Sequence, residues 1–156
     1  MTSNEIEKQY SELRKKYKLP EFREIDLELE LSDMEPTNFL FRNIIRKIAE
    51  KLDFYLRVLE EVLQPDASNL YAMHETKFFE DDEKKKMYET YAQLMGLSRQ
   101  SVELSLGHDG KSEAHFISNF FDEWKPLKIE LAVYAKKMRE SWKTIADIKE
   151  DIGYLG

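Results

Sequence analysis

One run of apolar side chains constrains the fold of this chain more than any other feature of its sequence. These side chains recur at alternating steps of four and three residues, and they are Phe41, Ile45, Ile48, Leu52, Tyr55, Leu59 and Val62. Such spacing is typical of a helix whose side chains interlock with those of a neighbouring helix. Further apolar residues broaden the stripe, as in a helix with more than one neighbour. The pattern predicts a long central helix over about residues 35–63.

Local signals place the ends of this central helix. Ser32 and Glu35 have the spacing of a capping box, in which each side chain binds a backbone N–H of the first turn. Pro36 suits a first-turn position, since its missing N–H is not needed there. At the far end, Pro65 biases Gln64 away from helical dihedral angles. We therefore expect the helix to begin near residue 35 and to end near residue 63.

Other segments carry helical signals as well. A first helix is predicted over residues 3–18, and a short helix is predicted after a cap at Asp66. A long helix is expected to open at Glu80, followed by a last one capped by Ser112. Pro126 falls inside the last pattern and predicts a break or a kink there.

These helices together define the expected fold class. Only five Gly and four Pro occur in 156 residues, which favours long regular elements. We predict an all-α protein, a single-domain bundle of five to seven mostly antiparallel helices around the central helix. The domain is expected to span residues 1–152, with residues 153–156 as a flexible tail.

The segment after the first helix permits two interpretations. Ile25, Leu27, Leu29 and Leu31 alternate with polar residues, which is the period of a half-buried strand. Phe22, Ile25 and Leu29 also fit one face of a helix. No other segment alternates in this way, so a strand here would have no partner within the chain. We favour a helix; the strand alternative predicts that two copies of the chain pair through this segment.

Composition excludes several classes of site and partner. The chain has no Cys, which excludes disulfides, thiolate nucleophiles and Cys-ligated metals. A net charge of −7 disfavours nucleic acid as a sole partner, because such binders gain affinity mainly by neutralising phosphates. Two local basic runs, residues 14–18 and 42–47, keep open an alternative as an acidic accessory subunit of a nucleic-acid machine.

Neither a signal peptide nor a membrane span is expected. The first residues have no basic segment followed by an apolar one. Uninterrupted apolar runs reach only a few residues, far short of the roughly 20 that cross a bilayer. We expect a soluble, cytoplasmic protein without a membrane partner.

Histidine provides one weak candidate for catalysis. His74, His108 and His115 lack metal-ligand neighbours at helical spacing, so neither a metal nor another cofactor is predicted. His108 lies in a loop between two glycines, where functional residues are common, and it is a candidate general base. The neighbouring Asp109-Gly110 is also an ordinary turn dipeptide, and the turn interpretation is favoured.

Two carboxylate pairs suggest an enzymatic alternative. Glu21 and Glu24, and likewise Glu50 and Asp53, are three residues apart, which places each pair on one helix face. Such pairs can hold Mg²⁺ on a phosphate substrate. In this they resemble the all-α nucleotide pyrophosphohydrolases, which implies a Mg²⁺-dependent nucleotide phosphohydrolase. The resemblance covers only these two pairs.

The leading interpretation is a non-catalytic protein–protein interaction or scaffold module. No catalytic constellation is visible, and several helices carry more than one apolar face. A protein partner is expected, including a second copy of this chain. The candidate partner-binding residues are Ile25, Leu27, Leu29, Leu31, Phe116 and Phe120. For the two phenylalanines, a position in the core of a helix packed on two sides is the favoured alternative.

Overall fold

The computed structural model describes residues 2–143, with side chains from residue 5 onward. Its elements are α1 (Thr2–Lys16), α2 (Phe22–Leu29), a 3-10 turn (Leu31–Asp33), α3 (Leu40–Leu63), α4 (Leu70–Thr76), α5 (Asp81–Ser105) and α6 (Gly110–Ser141). No strand occurs among the described residues. The all-α prediction is therefore confirmed, with six α-helices in the described range. The predicted tail at residues 153–156 lies outside that range.

Backbone contacts group the chain into two compact units. Unit 1 comprises Met1–Leu52 and Leu97–Lys125, and unit 2 comprises Asp53–Gly96 and the described part of Pro126–Gly156. The divisions fall inside α3, α5 and α6, and each of these helices continues past its division without a break. The expectation of one domain over residues 1–152 stays a prediction.

The predicted long helix is confirmed as α3. Six of the seven side chains in its apolar stripe are buried, and the seventh, Tyr55, is half-buried. Burial of such a stripe stabilises a helix far more than its intrinsic propensity does.

The predicted start of α3 near residue 35 is wrong. Side-chain contacts hold the residues before Leu40 in a conformation other than an α-helix. Ser32 lies in the 3-10 turn, where its N–H donates to Asp26 Oδ1 at 2.7 Å. Thr37 Oγ1 accepts from the N–H of Phe39 at 3.1 Å and from Asn43 Nδ2 at 3.1 Å. Such local side-chain bonds compete with the helical ladder, and the helix begins only at Leu40.

The ambiguous segment forms a helix followed by a turn, so the strand alternative is wrong. Ile25 and Leu29 are buried one helical turn apart, and Leu27 is 75% exposed. Glu30 then adopts the left-handed conformation, with φ 55° and ψ 47°, and its N–H donates to Asp26 O at 2.7 Å. The reversal brings Leu31 into the core. The alternating pattern arises from a helix and a turn in succession.

The N-terminus of α4 differs from the sequence prediction. Asn69 caps this helix, with its side chain accepting from the N–H of Ala72 at 3.3 Å. Asp66 instead accepts from the N–H of Ser68 at 2.9 Å and from its hydroxyl at 2.8 Å. Asp66 therefore closes a turn on the loop, which delays the helix to Leu70.

Helix α6 begins earlier than predicted and does not break. Asp109 accepts from the N–H of Lys111 at 3.1 Å and from the hydroxyl of Ser112 at 2.7 Å. Asp109 is therefore the cap, and Ser112 lies in the first turn. The helix runs unbroken through Pro126 to Ser141. The predicted break at Pro126 is therefore wrong. Proline removes only one hydrogen bond from the helix, and α6 buries side chains both before and after Pro126.

Each unit has its own core. In unit 1, Ile6 and Tyr10 of α1 are fully buried, together with Ile44, Ile48 and Phe116. The Tyr10 hydroxyl donates to Pro20 O at 2.5 Å, which satisfies its buried polar atom.

The core of unit 2 is built from four helices. Leu59, Met87 and Leu94 are almost fully buried, and Leu127 and Met138 of α6 are buried as well. Thr76 Oγ1 donates to Val62 O at 2.7 Å, joining the end of α4 to α3.

Candidate binding clefts in unit 1

Two surface clefts meet at Arg42 and Glu113 in unit 1. The smaller, of about 240 Å³, lies between α3 and the last turns of α5, and we refer to it as the Glu113 cleft. The larger, of about 530 Å³, is lined by α1, the segment before α3 and the loop before α6. Phe39, which is exposed, lines this second cleft.

Glu113 is a buried acid without a side-chain partner. It is 7% exposed and is the only Asp or Glu in the buried class between residues 5 and 143. Within the described part of the chain its carboxylate makes neither a hydrogen bond nor an ion pair, although it lines both clefts. Burial raises the pKa of Glu113, and the opposing effect of the Arg42 and His108 charges is smaller.

Arg42 ties α3 to the loop that precedes α6. Its Nη2 donates to Gly107 O at 2.6 Å and lies 2.6 Å from His108 Nδ1. A guanidinium has no acceptor, so His108 Nδ1 accepts this bond. That contact fixes the remaining ring proton of a neutral His108 on Nε2.

This arrangement offers no activated nucleophile. His108 is exposed, and its unprotonated ring nitrogen, Nδ1, accepts a hydrogen bond from Arg42. The hydroxyls of Ser101 and Ser105 donate to the carbonyls of Ser98 and Val102, each at 2.6 Å, so neither hydroxyl bonds to a histidine. General-base catalysis requires such a contact or a single bridging water.

The walls of the Glu113 cleft are mostly aliphatic or small. Ile45, Val102 and Leu104 supply apolar surface. Ala49 and Ser105 leave the space between α3 and α5 open.

The carboxylates singled out from the sequence do not converge. Glu21, Glu50 and Asp53 are exposed, and Glu24 pairs with Lys125 at 3.3 Å. Between residues 5 and 143, no group of three or more His, Asp or Glu side chains is placed to hold a metal ion.

A different acid, Glu28, joins three helices of unit 1. Its Oε2 accepts from Lys51 Nζ at 3.2 Å and from Trp124 Nε1 at 3.0 Å. Nothing in the sequence distinguished Glu28 from its acidic neighbours, because both partners come from distant segments.

The candidate partner-binding residues fall mainly in the core. Those that are buried are Ile25, Leu29, Leu31, Phe116 and Phe120. Leu27 alone of the six remains exposed. The favoured core position of Phe116 and Phe120 agrees with their burial.

The basic run on α1 surrounds a third cleft, of about 420 Å³. Two of the three cations that line it have partners: Arg14 Nε donates to Leu19 O at 3.2 Å, and Lys15 pairs with Glu12 at 3.0 Å, and Lys18 is the third. This cleft has no buried polar group that points to a ligand.

The sequence contained only part of the signal for the Glu113 cleft. His108 stood out as a loop histidine, and Arg42 belonged to a basic run. Glu113 looked like an ordinary acid in a first helical turn, where acids are common because they complement the helix dipole. Its burial depends on α3, which lies far away in the sequence.

Comparisons with known proteins give no relative. No protein-family model matches the chain, and no curated protein or solved structure is significantly similar to it. None of the described helices combines the length and apolar character needed to cross a membrane.

Proposed function

We propose that this chain is a non-catalytic protein-interaction module and that the Glu113 cleft receives a segment of a partner protein. One observation carries the proposal: Glu113, a buried residue without a hydrogen-bond or ion-pair partner, lines a cleft whose α5 wall includes the exposed side chain of Val102. A cytoplasmic location and self-association stay predictions within this proposal.

The apolar edge of the cleft lies on α5. Val102 lines the cleft and is 51% exposed, and Leu106, in the turn that follows α5, is 84% exposed. Single exposed apolar side chains are ordinary on protein surfaces. Two such side chains close together in the sequence, one of which lines the cleft, favour a surface that a partner covers.

The enzymatic alternative lacks a supporting arrangement. Three of its four carboxylates are exposed, and the fourth, Glu24, is already paired with Lys125. For the nucleic-acid alternative, Arg14 and Lys15 are held by contacts on their own helix and the loop after it.

The test is capture of partner proteins from an extract of the source cell by the full chain and two variants. We expect Val102→Asp to abolish capture of at least one protein, because a charge at the cleft edge disrupts apolar docking. Ile129→Asp is the matched control, since Ile129 is 68% exposed on α6 in unit 2. Direct binding of the captured protein, once purified, must show the same dependence. Equal capture by all three chains contradicts the proposal.

A further inference from the structure

We infer that the Glu113 cleft binds an acidic side chain of the partner protein through the guanidinium groups of Arg42 and Arg46. An aliphatic side chain next to that acid packs on the apolar wall of the cleft. The inference rests on the proposed function for the source of the carboxylate. Three features of the cleft support it, namely the remaining donors of the two arginines, the net charge of the lining and its apolar surface.

The two arginines retain hydrogen-bond donors. Arg42 and Arg46 lie one turn apart on α3, and both line the cleft. Arg42 uses Nη2 to bind Gly107 O and His108, and Arg46 uses Nη1 to bind Asn43 Oδ1 at 3.3 Å. Within residues 5–143, Nε and Nη1 of Arg42 and Nε and Nη2 of Arg46 make no hydrogen bond.

Neither arginine is paired with an acid of its own chain. Acids outnumber Lys and Arg by 31 to 24, so acids are not in short supply. Even so, neither guanidinium forms an ion pair with a carboxylate of the described residues. A guanidinium group binds a carboxylate through two parallel hydrogen bonds. The remaining donors of Arg42 and Arg46 can supply such bonds to a carboxylate from outside the chain.

The net charge of the lining favours a monoanion. Its charged side chains are two arginines and one glutamate, which leave a net fixed charge of +1. A single carboxylate balances that charge. A phosphate group carries about −1.5 to −2 at pH 7 and would leave excess negative charge near Glu113. An ammonium group would add to the positive charge. The lining therefore favours a carboxylate over a phosphate and over a cation.

The wall of the cleft suits an aliphatic group beside the carboxylate. Ile45, Val102 and Leu104 supply apolar surface, and the side chain of Val102 is 51% exposed. Covering this surface is favourable because it removes apolar area from water. An inorganic anion would leave the surface exposed, whereas an acidic residue next to an aliphatic one covers it. The cleft is therefore assigned to an acidic and apolar segment of the partner.

The first experiment tests the class of ligand with small probes. The full chain, at about pH 7.5 and constant ionic strength, is titrated with sodium hexanoate. Hexan-1-ol, n-hexylammonium chloride and inorganic phosphate are the comparison probes. Methyl resonances of Ala49 and Val102 report binding by NMR. We expect hexanoate to shift these resonances saturably and each other probe to bind at least about tenfold more weakly, as for the loss of a charged hydrogen bond. Binding of hexanol or phosphate as tight as that of hexanoate overturns the inference.

Three variants make the probe experiment specific. Arg46→Gln should weaken hexanoate binding about tenfold, because the amide supplies no positive charge. Arg99→Gln is the matched control and should leave binding unchanged, since Arg99 is an exposed arginine of α5 outside the cleft lining. Glu113→Gln should tighten hexanoate binding and leave hexanol binding unchanged, because it removes a like charge. A preference for hexanoate that survives in Arg46→Gln, or weaker hexanoate binding in Glu113→Gln, overturns the inference.

The second experiment distinguishes this inference from the proposed function. Arg46→Gln joins Val102→Asp in the capture assay, and acids beside aliphatic residues of the purified partner are replaced by Asn or Gln. If Arg46→Gln and one such replacement each weaken binding about tenfold, the inference stands. If Val102→Asp abolishes binding and Arg46→Gln does not, the proposed function stands and the inference is overturned.

Two further outcomes concern the source of the carboxylate. If the only Val102-dependent partner is a second copy of this chain, the proposed function stands and the partner assigned here is overturned. Hexanoate binding without any Val102-dependent capture means that the cleft takes a free carboxylic acid, which overturns both the partner source and the proposed function.

Discussion

One buried polar residue of unit 1, Glu113, differs from the buried polar residues of unit 2. In unit 2, His74 Nε2 lies 2.9 Å from Ser141 O, and the hydroxyls of Thr76 and Ser141 donate to backbone carbonyls at 2.7 and 2.6 Å. In unit 1, Glu113 is buried beside a cleft with no such partner. Hydrogen-bonded polar groups fix one packing arrangement, whereas the carboxylate of Glu113 makes no hydrogen bond and is reached by solvent. The buried polar side chains of unit 2 therefore hold its segments together, and the Glu113 side chain makes no such bond in unit 1.

The largest expected effect tests whether α3 is buried in unit 1 at all. Leu52 is 0% exposed, so Leu52→Asp places a charge in the core. We expect a loss of more than about 4 kcal/mol in the free energy of unfolding, enough to unfold much of the protein. Urea denaturation followed by circular dichroism measures it. Asp53→Asn, at the exposed neighbouring position, should change little, and equal stability of both variants would show that the stripe is not buried.

A smaller loss is expected in unit 2 from His74→Ala. His74 bonds Ser141 O, and its ring lies 4.2 Å from that of Trp142, centroid to centroid. Losing the bond and the ring contact should cost about 2–3 kcal/mol. His115→Ala is the control, because His115 is exposed, and thermal denaturation compares the two. A loss no greater than that of the control would mean that the buried polar groups of unit 2 do not contribute the stability assigned to them.

Glu113→Gln in unit 1 is expected to act in the opposite direction. A carboxyl whose pKa is raised on folding holds its proton more tightly when folded, so its contribution to stability is lost as the pH rises through the folded pKa. At pH 7 the neutral glutamine avoids this penalty and should stabilise the protein by less than about 1 kcal/mol, because solvent at the cleft screens the charge of Glu113.

The pH dependence supplies the control for this variant. Below the ordinary glutamate pKa of 4.5, Glu113 is protonated in both the folded and the unfolded state. The advantage of Glu113→Gln should therefore disappear at about pH 4. Urea midpoints measured at pH 7 and pH 4 would reveal it. Destabilisation at pH 7 would mean that Glu113 has a stabilising partner, and the contrast between the units would fail.

The smallest expected effect concerns Glu30, whose φ of 55° is unusual for a residue with a side chain. Glycine adopts this conformation without strain, so Glu30→Gly should stabilise the protein by about 0.5–1 kcal/mol. Glu89→Gly, at an exposed position inside α5, should instead cost about 1 kcal/mol. Thermal denaturation distinguishes the two signs. A loss in Glu30→Gly would show that the turn after α2 is not strained.

Helix ends were predicted less well than helices. The stripe of α3 could be read because it depends on residues within one helix. The start of α3 could not be read in this way. The sequence is equally compatible with a capping box between Ser32 and Glu35, whereas in the structure Ser32 bonds Asp26 and Thr37 bonds Asn43. Competing local hydrogen bonds differ by little free energy, and tertiary packing chooses between them.

The candidate site shows the same limit more strongly. His108 was recognised because a loop histidine between glycines is conspicuous. Its contact with Arg42 joins residues 66 positions apart in the chain. The burial of Glu113 likewise requires α3 to cover the start of α6. No local pattern contains that information, since exposed and buried acids in a first helical turn look alike in sequence.

The sequence by itself determined that the chain is all-α and that its apolar stripes, above all the one in α3, are buried. Periodicity is sufficient for this, because the hydrophobic effect acts on any face whose side chains recur once per turn. Only the tertiary structure decided which polar groups are satisfied and where the chain reverses at Glu30. Those outcomes depend on which segments meet, and that is fixed by packing across the whole fold.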